Sequence, residues 1–138
     1  MKSLILSVLC AAFLAGAGQA AQGFLYDCDM IDTGRERGWI SPKIAVVFPK
    51  DGTVRVVDAI TLYFVKDAVQ GRILQDNDAR VVVRWSIPRA RTDTGVSFNA
   101  FDYRASIAKR TGRIDVTAKP RSYDTGVTSR GTCVRRTQ

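Results

Sequence analysis

Two cysteines near opposite ends of the chain constrain its fold more than any other feature. The 138-residue sequence holds three cysteines, and one of them, Cys10, falls inside an apolar leader. That leaves Cys28 and Cys133 to the body of the protein. In an oxidising compartment an isolated pair of this kind reads as a disulfide. It requires the first and last strands to approach with Cα atoms about 4.4–6.8 Å apart. It also closes a loop of about one hundred residues, for which chain entropy gives roughly 4.7 kcal/mol as an upper expectation. A redox or metal pair is the alternative. No Cys-x-x-Cys spacing and no histidine occur, and two thiolates alone cannot fill a tetrahedral site.

The leader explains the odd cysteine and supplies the compartment. Met1-Lys2 gives a positive start, residues 4–17 are apolar and uncharged, and Gly18-Gln19-Ala20 places small residues where a signal peptidase reads. The expected organisation is a signal peptide over 1–20, cleaved after Ala20, and a single all-β domain over 21–138, periplasmic or extracellular. An uncleaved anchor is disfavoured because the strongly apolar part is about fourteen residues, short for a bilayer. A lipoprotein is excluded because Leu9, directly before Cys10, is not small. No later stretch is apolar enough to span a membrane, and the mature chain is expected to be a monomer.

The remaining residues read as strands. Short segments rich in Val, Ile, Phe, Tyr and Thr are expected over 24–31, 40–48, 53–59, 71–75, 80–87, 96–108, 113–118 and 127–134. Residues 60–65 either continue the third strand after a bend at Asp58 or form one of their own. In the clearest strand, Val81, Val83, Trp85 and Ile87 face one way and Arg80, Val82, Arg84 and Ser86 the other. Pro49-Lys50-Asp51-Gly52 and Lys109-Arg110-Thr111-Gly112 read as hairpin turns. The alternation slips within 96–108, which predicts a β-bulge near Asn99-Ala100. Helical periodicity is weak, with 65–70 the best candidate. The ends, including the tail after Cys133, are expected to be floppy. These segments predict a single antiparallel meander closing as a small barrel, with a β-sandwich as the alternative. Pairing first and last strands is expected to remove both edges.

Several chemistries are missing. Without histidine there is no Ser-His-Asp or Cys-His arrangement and no common metal ligand. No glycine-rich phosphate cradle is present. Asp27, Asp29, Asp32 and Glu36 cluster near the first cysteine, so a carboxylate-based hydrolase can be drawn, though an outward strand face and a turn account for them better. Asp76-Asn77-Asp78 reads as a turn, not a calcium loop. The reading is therefore a non-enzyme with no cofactor and no metal.

Charge gives the positive indication. Residues 80–138 hold thirteen basic and four acidic side chains, whereas residues 21–79 hold seven and nine. A basic half on an exported domain points to an anionic partner: lipid, glycan or protein. Arginine dominates, and it pairs bidentately with phosphate and carboxylate. Arg80, Arg84, Arg104 and Arg113 are the candidate anion-binding residues. Nucleic acid is not expected, since no recognition helix or RNP-like motif is visible. Trp39, Phe48, Tyr63, Phe64, Trp85, Phe98, Phe101 and Tyr103 fill the core or, on a second reading, line a cavity for a small apolar ligand. In fold alone such a meander is similar to lipocalin-like carriers and small periplasmic lysozyme inhibitors.

Overall fold

A computed structural model of the chain describes residues 22–35, 38–91, 93–95 and 97–137. The expected leader and its cleavage point lie outside them, as does Glu36. The described chain is nearly all antiparallel β. In order it runs β1 (Phe24–Met30), β2 (Lys43–Phe48), β3 (Arg55–Asp58), α1 (Ala59–Phe64), β4 (Val69–Gln70), β5 (Arg72–Asp76), β6 (Arg80–Ile87), β7 (Ala90–Arg91), β8 (Ser97–Phe98), β9 (Phe101–Ala108), β10 (Arg113–Pro120) and β11 (Val127–Thr137).

Nine strands form one sheet in the order β4-β3-β2-β1-β11-β10-β9-β6-β5, and β7 and β8 pair separately as a small ribbon. The sheet curls into a nearly closed barrel. Period-two patterning drives it: along β9 and β10 each inward residue is buried while its neighbours are not. The interior is filled by Tyr26, Ile44, Val46, Val56, Val83, Trp85, Tyr103, Ile107 and Val116. Trp85 stacks on Tyr103 with ring centroids 5.1 Å apart.

The two terminal strands lie side by side, with Cys28 directly opposite Cys133. Their disulfide is formed, and the Cα atoms are 3.9 Å apart, closer than the expected window. The tail is not loose. β11 continues past Cys133 along β1 until Thr137 faces Phe24, Arg135 lies over the Phe24 ring at 4.0 Å, and Arg136 Nε donates to Asp27 at 3.1 Å. Two glycines permit the approach. A side chain on Gly131 would strike the Asp29 carbonyl, and one on Gly112, whose φ is +75°, would strike that of Cys133. Only glycine fits both demands at low cost.

Pairing the ends does not remove the sheet's edges, contrary to the sequence-based expectation. The β1–β11 pair lies inside the sheet, and the edges are β4 and β5. These are consecutive in the chain, separated only by Gly71, whose N–H donates to the Val54 carbonyl at 2.8 Å. One bent segment therefore pairs first with β3 and then with β6, and the barrel draws shut there.

Three local expectations are corrected. The parity slip within 96–108 is a break between β8 and β9 rather than a bulge, and the bulge lies at Leu74 in β5. The helix occupies Ala59–Phe64, not 65–70. Asp58 accepts from Thr61 N at 2.7 Å while Thr61 Oγ1 accepts from Asp58 N at 2.9 Å, a reciprocal cap that nucleates the turn. Val82 faces outward as expected, yet it is 1% exposed. Its β6 neighbours on that face, Arg80 and Arg84, carry long aliphatic stems able to cover it.

Candidate anion-binding face

The outer face of β5, β6, β9 and β10 is built by strand alternation and register. Alternation turns Arg84 and Arg104 outward while their neighbours enter the core. Register then places Arg84 directly opposite Arg104, and Arg72 directly opposite Arg84 on the other side. Three arginines thus cross three adjacent strands in one row. At a strand spacing of ~4.8 Å their Cα atoms span about 10 Å. Like charges directly opposite one another oppose sheet formation. Neither Arg72 nor Arg104 makes an ion pair with another described residue, and both are exposed.

Asp102 sits beside this row, two residues along β9 from Arg104. It lies opposite Ser86 on β6 and Lys119 on β10. Arg121, just after β10, donates from Nη2 to one carboxylate oxygen at 2.9 Å and from Nε to the other at 3.3 Å. Ser86 Oγ donates at 2.6 Å, and Arg84 Nη2 lies 3.5 Å away. The Arg121 guanidinium, helped by Ser86, holds the Asp102 carboxyl at about 2, well below the usual value. One carboxylate therefore orients Arg121, lies within ion-pair distance of Arg84, and leaves the group net positive. Beside it a surface depression of about 520 Å³ is lined by Ser86, Arg89, Asn99, Arg121 and Ser122. Asn99 Nδ2 donates to Ser122 Oγ at 2.8 Å.

Of the four residues singled out from sequence, the structure brings Arg84 and Arg104 together. Arg80 lies on the same face four residues down β6 and donates to Ser106 Oγ at 3.2 Å. Arg113 is on the outward face of β10 but is held by Asp115 at 3.2 Å, which also takes Arg130 at 3.1 Å. Arg72 and Arg121 escaped the sequence reading. Arg72 was open to discovery by pairing 71–75 with 80–87. Arg121 sits in a loop after Pro120, and no periodicity marks it.

The other candidates are engaged in local structure. Asp27 and Asp29 point outward and share Lys43 at 3.0 and 2.9 Å. Lys43, then Arg136, lowers the Asp27 carboxyl. Asp32 accepts from Gly34 N in a turn. Asn77 Oδ1 accepts from the Ala79 and Arg80 N–H groups, and Asp76 takes Lys109, so this segment is a hairpin connection. Among the aromatics, Phe48, Trp85, Phe101 and Tyr103 are core, and Trp39 stacks on Phe101 at 3.9 Å over one barrel end.

No known protein family matches the chain, and no curated protein and no solved structure proves significantly similar to it.

Proposed function

We propose that the protein is an exported, non-enzymatic binding module that holds an anionic partner on the outer face of β5, β6, β9 and β10. The carrying observation is the register that sets Arg72, Arg84 and Arg104 directly opposite one another. Arg80 and Arg113 extend the positive face along β6 and β10. The disulfide supports an oxidising compartment, and the leader, cleaved after Ala20, places the mature protein in the periplasm or outside the cell. No helix among the described residues is long and apolar enough to cross a membrane. The outward faces carry Asp27, Lys43, Arg84, Arg104 and Arg130, the opposite of a lipid-facing band.

The carrier reading requires a hollow barrel. Val46, Val56, Val83, Ala105, Ile107, Ile114 and Val116 are fully buried in one contiguous core, which favours recognition at the surface over storage inside.

Salt-sensitive retention on isolated envelope or on acidic polymer tests the proposal. Reversing charge at Arg84, Arg104 and Arg113 is expected to abolish retention at low salt. Undiminished retention of that triple variant would refute it.

A further inference from the structure

Alongside the row of opposed arginines, about 7 Å along the strands, lies a depression whose neutral groups point to one kind of anion. Resting on the function proposed above, we infer that the ligand is a linear acidic polysaccharide. It lies across the strands over Arg104, Arg84 and Arg72, with the sugar hydroxyls on its flank facing the hollow beside Arg121.

Three observations converge. Arg72, Arg84 and Arg104 follow one another around the girth of the barrel, so their charges repeat along a line perpendicular to the strands. A chain bearing a carboxylate or sulfate on successive sugars presents charges in the same arrangement. A single phosphate or a compact dianion meets two guanidinium groups at most. Second, Asp102 fixes Arg121 through both carboxylate oxygens and also draws in Arg84. The Arg121 fork is thereby oriented before any ligand arrives, which reduces the ordering needed on binding. Third, Ser86 stands two residues from Arg84 on the same face, about 7 Å along the strand. The depression it lines also holds Asn99 and Ser122, already joined to each other. Hydroxyl and amide groups beside a cation suit sugar hydroxyls next to an acidic substituent.

The same face suits other polyanions less well. Leu74 is the one large apolar side chain exposed on β5, β6 or β9 among the described residues, so a bilayer finds no apolar wedge on a convex barrel wall. The exposed aromatic residues Tyr63 and Tyr123 lie in α1 and in the loop after β10, not along the row. No stacking platform for bases accompanies the charges.

Binding of the oxidised protein to a heparin oligosaccharide, a polygalacturonate oligomer, neutral dextran, inorganic polyphosphate and phosphatidylglycerol vesicles tests this. The two acidic glycans are expected to bind at least tenfold tighter than polyphosphate or vesicles at equal charge, and dextran not to bind. R72Q/R104Q is expected to weaken glycan binding at least tenfold and to flatten the salt dependence by about two charges. K43Q, on β2 across the barrel, is expected to change neither. The double variant removes two like-charge oppositions, so its melting temperature should hold or rise. Should it fail to fold, R72K/R104K keeps the charge, removes the planar fork and is still expected to weaken binding. Vesicles or polyphosphate binding as tightly as the glycans would overturn the glycan assignment while leaving the anion-binding face intact. Equal losses from K43Q and R72Q/R104Q, or lysine variants binding as well as the native protein, would overturn the row as the recognition element. Binding to none of the charged probes would overturn both readings.

Discussion

Asp102 takes hydrogen bonds from Ser86 and Arg121 and sits within ion-pair distance of Arg84. Its carboxyl is held at about 2 against an ordinary 3.8. A depressed acid contributes stability that is present above its unfolded value and lost as pH falls through the folded one. The shift corresponds to roughly 2 kcal/mol, and exposure of the two arginines discounts that to about 1 kcal/mol. Asp102→Asn is therefore expected to lose about 1 kcal/mol at pH 7. The gap to the native protein should close between about pH 4 and pH 2. Urea midpoints at pH 7, 4 and 2 measure it, and a gap that is constant across that range contradicts the ion pairing. Around this residue sequence reading reaches its limit. The outward parity of Arg84 and Arg104 is legible from strand alternation. Their partnership with Arg121 depends on a loop returning to the sheet, and no local pattern encodes that.

At the scale of elements, the one short helix shows how a small signal overrides strand propensity. Residues 59–64 are rich in β-formers, yet the reciprocal Asp58–Thr61 cap closes a helical turn. The signal was visible as Asp58-x-x-Thr61, a variant of the capping box in which threonine replaces the usual glutamate. Burial raises the Asp58 carboxyl, opposed by its bonds to Thr61. For an acid raised on folding, the charged form weakens the fold above that raised value and the penalty disappears below the unfolded one. Asp58→Asn keeps the capping acceptor and removes the charge, so it should match or exceed native stability at pH 7 and show no gain at pH 3. Asp58→Ala, which removes the acceptor, should fall about 1 kcal/mol below Asp58→Asn at either pH. Thermal melts of the two variants decide this, and equal stability would remove the cap as the cause of the helix. The strands themselves were legible where alternation is strict, as in β6, whose bounds the sequence marks with Asp76-Asn77-Asp78 before and Pro88 after. The break at Asn99-Ala100 was legible as a parity slip, but a slip alone does not distinguish a bulge from two strands.

For the whole molecule, the cysteine pair alone implies that the ends meet, and the disulfide joins directly opposed residues of β1 and β11. What it could not reveal is where the barrel shuts. That depends on Gly71, where one segment changes partners from β3 to β6, a feature of three-dimensional closure with no compositional mark. Reduction frees a loop spanning 105 residues of sequence separation. It is expected to lower stability by about 2–5 kcal/mol, seen as a fall of about 10 °C or more in melting temperature. An unchanged melt after complete reduction would show that the clasp is dispensable. The functional account rests on the outer face of β5, β6, β9 and β10. A backbone amide NMR titration of the oxidised protein with a heparin oligosaccharide maps the contact directly. Shifts should concentrate at residues 72, 84, 86, 102, 104 and 121, leaving β1 and β2 unmoved. Shifts centred on β1–β3, or none at low salt, would contradict the account.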